Sequence, residues 1–466
     1  MSQSRAPKIS DRRRTSAAGR SPRSQERGAV PTHDTAIAYK GAPMAASARR
    51  VEQVSQALGE ILQWKQPADA TLSQWMRARK SMGGRDRSEV TDAVFDVLRH
   101  LRLYRHYAES GQGSASRRLA ILGLSTVLSP DFLQSALDEQ EQRWLAHTKN
   151  IPLEPLSEAV RYSLPDWLEA EFTQLESPWT LAEALNQNAT LDLRANPYKI
   201  DRDELIEKLK AGPARRFKPV ATPYSPWGIR VESRPYVAKW PEFEKGELEV
   251  QDEGSQLLAA LMAPKRGEMI IDFCAGAGGK TLLLGAMMRS TGRLYAFDVS
   301  AARLARAKPR FARSGLSNIV PVVVDESSDQ RIKRLQGKAH RVLVDAPCSG
   351  LGTLRRNPDL KWRQHPDALQ QYIELQQRIL QRASRCVAPG GRLVYATCSV
   401  LPKENEDQVQ QFLTANPDFE LLPVNEILAA RVPTLSMTGP YLKLRPDMHG
   451  TDGFFAAVMQ KKSLSS

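Results

Sequence analysis

Apolar positions along the chain fall into three successive patterns, each marking off its own stretch. Val51, Val54, Leu58, Ile61 and Leu62, and again Val90, Val94, Val97, Leu98 and Leu101, follow the three-to-four spacing of an amphipathic helix. Residues 48–150 therefore read as a helical domain. Before them, residues 1–47 are rich in Ser, Arg, Ala, Gly and Pro without periodicity, which predicts a disordered tail. Pro152 and Pro155 interrupt the helical spacing, and residues 156–247 then mix elements. A helix is expected near Pro165–Leu175 and another near Asp203–Lys210, with strand-like runs at Thr190–Arg194 and Trp227–Val231, giving a small α+β unit. From residue 248 to 461 apolar strands alternate with amphipathic helices. Met269–Phe273, Arg293–Phe297, Val320–Val324, Arg341–Val344 and Arg392–Ala396 are the strand candidates. Such alternation predicts an α/β domain with a mostly parallel sheet covered on both faces, whose ligands bind beyond the carboxyl ends of the strands.

Length and composition agree with this division. At roughly 150 residues per domain, 466 residues call for about three. An apolar fraction of 41% and a charged fraction of 25% are those of a globular chain. No apolar run reaches the span of a membrane helix and no secretory pattern opens the chain, so a cytoplasmic protein without a membrane partner is expected. The net charge of +14 points to a polyanionic partner. Residues 1–50 carry eleven Lys/Arg against three Asp/Glu, with Arg12-Arg13-Arg14 the densest cluster, so much of the excess sits in the tail. Further basic residues fall at Arg85–Arg102, where solvated helix faces are the favoured reading, and at Arg215, Arg216 and Lys218. Four cysteines without Cys-x-x-Cys spacing argue against zinc or a disulfide framework, so no metal is expected.

The first α/β strand runs into Asp272-Phe273-Cys274-Ala275-Gly276-Ala277-Gly278-Gly279-Lys280-Thr281. Glycines there let backbone pass close to a ligand, and the following helix offers unpaired N–H groups. A Walker loop fails, because its first glycine would stand where Cys274 does; a dinucleotide fingerprint fails at Thr281. Asp298, Asp325 and Asp345 end the next three strands. An acidic side chain after the second strand suits ribose hydroxyls, which favours a nucleoside-bearing cofactor.

The fourth strand leads into Asp345-Ala346-Pro347-Cys348-Ser349-Gly350 and the fifth into Thr397-Cys398-Ser399, so two cysteines face the same crevice. Cys274 and Cys386 read as structural residues. With the closing Gly450-Thr451-Asp452-Gly453-Phe454-Phe455, these motifs resemble the Sun/RsmB family of RNA cytosine-C5 methyltransferases over residues 240–461. One departure is visible: Ala275-Gly276-Ala277-Gly278-Gly279-Lys280 stands where the family has Ala-Ala-Pro-Gly-Gly-Lys.

The resemblance implies a Rossmann-like class I methyltransferase domain, S-adenosylmethionine as cofactor and RNA as partner. It implies Cys398 as the nucleophile, Cys348 as the aid to product release, and Asp345 as the carboxyl beside the base. A DNA cytosine-C5 methyltransferase would instead attack with the cysteine of its Pro-Cys motif. Cofactor contacts carry over to Cys274, Ala275, Gly276, Ala277, Gly278, Gly279, Lys280, Asp298, Asp325 and Asp345, with Arg303 beside them. Thiol chemistry fits these roles, since C5 of cytosine becomes nucleophilic only after a thiolate adds to C6. Leu354–Arg363, with four basic residues and Trp362 next to the crevice, is expected to hold RNA phosphates around an extruded base. Gly84-Arg85-Asp86-Arg87-Ser88 and Val97-Leu98-Arg99 resemble the NusB-like domain that precedes the catalytic part in small-subunit rRNA enzymes of the family, and the α+β unit fits its RNA-recognition-like insert. These favour 16S rRNA over tRNA as substrate, and a monomeric enzyme is expected. A tRNA cytosine-C5 methyltransferase and a non-catalytic ribosome-assembly factor are the alternatives.

Overall fold

Residues 45–325 and 329–463 are described by a computed structural model. The basic tail read at residues 1–47 lies, up to residue 44, outside the described residues.

Helices Ala46–Ile61, Ala68–Arg77, Gly84–Arg99, Leu101–Ala108, Ala115–Leu124, Pro130–Gln134 and Glu139–Thr148 make up the first part. Their apolar stripes meet in one core containing Val51, Val54, Leu58, Ile61, Val90, Val94, Val97, Leu98 and Leu101. A capping box opens the last of them, with Asp138 Oδ1 accepting from the Glu141 backbone N–H and Glu141 accepting in return. Three short helices follow, Glu158–Arg161, Asp166–Phe172 and Pro178–Leu185. Leu168, Phe172, Leu181 and Leu185 of these helices, with Leu164 between the first two, form a cluster with Leu351, Leu354, Leu369 and Leu401. That cluster fixes the chain just after both candidate cysteines.

The small α+β unit has four antiparallel strands: β1 (Leu191–Ala195), β2 (Val220–Ala221), β3 (Gly228–Val231) and β4 (Leu248–Val250), in the order β2-β3-β1-β4. The helix Arg202–Ala211 packs its Leu205, Ile206 and Leu209 against Leu193, Ile229 and Leu248. Strand β4 starts at the residue where the sequence pattern opens the catalytic part, yet it pairs with β1. Three residues are too few to show a period, so the pattern had no means of placing it.

The large sheet holds β5 (Met269–Asp272), β6 (Arg293–Asp298), β7 (Ile319–Val323), β8 (Ala339–Asp345), β9 (Val387–Thr397), β10 (Phe419–Leu422), β11 (Leu442–Leu444) and β12 (Phe454–Lys461). Its order is β10-β12-β9-β8-β5-β6-β7, with β11 also on β12. Strands β5 to β9 are parallel, and β12 runs antiparallel to β9, β10 and β11. This is the mostly parallel α/β sheet that the alternation predicts, in the Rossmann-like form that the resemblance implies, extended by an antiparallel margin. Alternate residues serve opposite faces: Ile270 and Leu343 join one core cluster, and Ile271, Val342 and Val344 the other. β7 is the outermost parallel strand and carries Pro321, which lacks an N–H and belongs at such a margin. The chain turns from β5 toward β6 and β7 on one side and from β8 toward β9 on the other. A crevice therefore opens above the carboxyl ends of β5 and β8. No helix among the described residues is long and apolar enough to cross a membrane.

Candidate active site

The turn after β5 is built by backbone hydrogen bonds. Ala275 N–H donates to Phe297 O (2.7 Å), Gly278 N–H to Ala275 O (2.8 Å) and Leu282 N–H to Gly278 O (2.9 Å). Gly278 caps the helix Gly279–Met287 at φ +80°, and a Cβ there would lie 2.4 Å from the Phe311 ring, so only glycine fits. The turn lacks the proline that the resemblance leads one to expect at Ala277. Other groups hold it: Arg310 donates to Ala277 O (2.6 Å) and pairs with Glu249 of β4, and Arg194 of β1 donates to Gly279 O (2.7 Å). Arg194 is wholly buried and also bonds Gln251. Sequence reasoning missed Arg194, Glu249 and Arg310, although a charged residue inside a buried strand is a visible signal.

Asp298, at the end of β6, is buried and accepts from Gly276 N–H (2.9 Å) and Ser300 N–H (2.7 Å), with Arg303 3.4 Å away. Cys274, Asp298, Arg303, Phe273, Val299 and Val324 line one end of a cavity of about 870 Å³, which continues between the helices Pro366–Ser384 and Glu406–Ala415. Asp325 follows Val324 at the margin of this group. It is exposed, its N–H donates to Asp329 (3.1 Å), its carbonyl accepts from Arg382 (2.8 Å), and it is not among the residues lining the cavity. Burial and the nearby Asp272, Asp345 and Asp298 push the Cys274 thiol up, so it stays protonated at neutral pH.

Lys280 Nζ donates to Asp345 Oδ2 at 2.7 Å. Burial works against its ammonium, but Asp345, by charge and hydrogen bond, outweighs burial and moves its pKa up. Asp345 ends β8 opposite Ala396 of β9, which brings the next loops together. There Cys348 Sγ and Cys398 Sγ lie 3.3 Å apart. The hydrogen bond to Cys398, burial, and the charges of Cys398 and Glu404 push the Cys348 thiol well up.

Both cysteine loops are tied to the closing motif. Gly352 N–H donates to Cys398 O (2.9 Å) and Gly453 N–H to Gly352 O (2.8 Å). A Cβ on Gly352 would stand 2.1 Å from Gly453 O and 2.8 Å from Cys398 O, a closeness only glycine permits.

The basic run Leu354–Arg363, expected to hold RNA phosphates, is structural instead. Arg355 is buried and pairs with Asp452 (3.0 Å); Arg356 pairs with Asp452 (2.5 Å) and Asp252 (2.7 Å). Lys361 is fully buried, donating to Arg99 O (2.6 Å) and Asn186 Oδ1 (2.8 Å), and Trp362 Nε1 donates to Leu98 O (2.8 Å). Arg363 reaches Asp359 at 3.4 Å. Lys361 and Trp362 join the crevice wall to the helical part, and Arg355 and Arg356 join it to the closing motif. Arg215, Arg216 and Lys218 do lie exposed, Lys218 beside Glu232.

Comparison with known proteins agrees with this arrangement. Residues 259–460 match the family described as 16S rRNA methyltransferase RsmB/F. A probable ribosomal RNA small subunit methyltransferase B from Synechocystis is 36% identical over 328 residues, 69% of this chain and 72% of that protein. The ribosomal RNA small subunit methyltransferase B of Citrobacter koseri is 32% identical over 79% of this chain and 81% of its own length. The crystal structure of a methyltransferase homologue from Pyrococcus horikoshii matches with a TM-score of 0.55 and 30% identity, over 67% of this chain and all of that one. With this sheet order, this pair of strand-end cysteines and relatives of this similarity, the chain belongs to the Sun/RsmB family of 16S rRNA methyltransferases.

Proposed function

We propose that this protein methylates C5 of a cytosine in 16S rRNA, taking the methyl group from S-adenosylmethionine, with Cys398 as the nucleophile. The observation that carries this reading is the pair of thiols 3.3 Å apart, set beside the Lys280–Asp345 ion pair at the carboxyl ends of parallel strands. Relatives named small subunit methyltransferase B support 16S rRNA as the substrate.

The turn after β5 fits a nucleoside-bearing cofactor. A Cβ on Gly276 would meet nothing within 4 Å, so the turn borders open space, and the cavity beside it has the size of a small-molecule site. Asp298 would take the ribose hydroxyls, and backbone from Cys274 to Lys280 would line the rest. When bound, S-adenosylmethionine supplies an electrophilic methyl group.

The protein's own residues do the remainder. Cys398 adds as thiolate to C6, making C5 an enamine carbon able to take the methyl group. Asp345, its Oδ2 held by the Lys280 ammonium, stabilises the ring at N3 as the thiolate adds. A base then removes the C5 proton, those electrons restore the C5–C6 double bond, and the C6–S bond returns its pair to Cys398. Cys348 stands against that leaving sulfur and aids release. The exposed Arg215 and Arg216 of the small unit are suited to RNA phosphates.

Labelled S-adenosylmethionine, offered with separate 16S rRNA and tRNA pools, tests this directly. Label is expected in 5-methylcytosine of 16S rRNA, lost in Cys398→Ala, with a covalent protein–RNA adduct accumulating in Cys348→Ala. Label in tRNA alone, or none in any RNA, would overturn the assignment.

A further inference from the structure

We infer that Glu404 is a positioning residue that clasps the Cys348 loop against the Cys398 loop. The inference rests on the release role given to Cys348 above. Glu404 is fully buried, six residues past Cys398, and no Lys or Arg pairs with it among the described residues. Its partners are all on the other cysteine's loop or its support. Oε1 accepts from Ser349 N–H (2.8 Å) and Oε2 from Ser349 Oγ (2.5 Å). Gln376, also fully buried, donates to Glu404 Oε1 (3.0 Å) and to Pro347 O (2.9 Å). The residues on both sides of Cys348 are thereby gripped, while Cys348 itself bonds Cys398.

The Cys398 side is anchored by the same turn. Tyr395 OH donates to the Glu404 carbonyl (2.6 Å), and Asn405 Nδ2 donates to Ser399 O (3.0 Å) while its Oδ1 accepts from Thr397 Oγ1 (2.5 Å). One dipeptide, Glu404-Asn405, thus spans both loops. A carboxylate buried without a counter-ion is costly and persists where several N–H and O–H donors converge on it. Here they converge on the two residues flanking a reacting thiol. Ångström-scale placement of such a group controls rate strongly.

The test compares Glu404→Ala, Glu404→Gln and the milder Ser349→Ala with wild type and Cys348→Ala. Steady-state kinetics and covalent adduct on denaturing gels are read for each, with thermal melting as the folding check. Glu404→Ala is expected to lower kcat on the order of 10²-fold with KM for S-adenosylmethionine unchanged, and to accumulate adduct as Cys348→Ala does. Ser349→Ala should show the same pattern more weakly. Glutamine can accept from Ser349 N–H and Gln376 and donate to Ser349 Oγ, so Glu404→Gln should restore turnover and clear the adduct. Wild-type kcat in Glu404→Ala, or a loss of rate without adduct in Glu404→Ala and Ser349→Ala alike, overturns the clasp. If Cys348→Ala gives no adduct either, the release role fails and the inference with it; adduct in Cys348→Ala alone sinks only the clasp.

Discussion

Asp272 ends β5 with its carboxyl buried and Thr281 Oγ1 donating to Oδ2 (2.7 Å). Burial disfavours its ionised form more than Thr281 favours it, and Asp345 adds to the effect, so its pKa is pushed up to about 7. A group whose pKa rises on folding stabilises the fold fully below its unfolded value, near 4, and loses that contribution as pH climbs through 7. Asp272→Asn keeps an acceptor for Thr281 and cannot ionise. Measured against wild type by denaturant unfolding, it should gain on the order of 2–4 kcal/mol between pH 5 and pH 8. An equal difference at both pH values would show that Asp272 titrates alike in both states. At this scale, what the sequence made legible was the short motif. Gly278, Lys280, Cys348 and Cys398 stand in such motifs and were visible without their partners, although Lys280 meets Asp345 65 residues on and the two cysteines are 50 apart. Glu404 and Arg194 stand in no such motif, and only their contacts with Ser349 and Gly279, 55 and 85 residues away, show what they do.

Elements show the same boundary between local and distant causes. The five parallel strands were visible because each is an apolar run of several residues, whereas β2 and β4, two and three residues long, carry no period. Arginine and lysine in the segment after Cys348 looked like an RNA contact because a single sequence does not reveal buried acidic partners. Asp452, 97 residues beyond Arg355, and Arg99, 262 residues before Lys361, change what that segment is for. Its strength can be measured. Asp452 is buried between Arg355 and Arg356, and removing one member of such a group leaves uncompensated buried charge. Asp452→Ala is expected to cost about 3–5 kcal/mol in urea unfolding. A cost below about 1 kcal/mol, the range of exposed pairs, would show that the network adds no strength to the crevice wall.

For the whole molecule, the described residues from 45 on form one compact unit by their contacts, although three kinds of pattern succeed one another along them. Periodicity revealed those patterns, and the domain division remains our reading of it. Periodicity cannot show how tightly parts are joined, because the joints are single side chains: Lys361 and Trp362 into the helical part, Arg194 and Arg310 between the small sheet and the glycine turn. Buried joints of this kind couple unfolding of the parts. Calorimetry should therefore record one transition for residues 45–466, with van't Hoff and calorimetric enthalpies equal. Two resolved peaks would mean that the parts melt separately.

Pro321 has a meaning at this scale as well. The side of β7 away from β6 is where an eight-stranded sheet would accept a ninth strand from another copy of the chain. A ring nitrogen without hydrogen, in the middle of a five-residue strand, breaks the row of donors that such an addition needs. The proline thus makes that edge a poor template for pairing with a second copy of the chain.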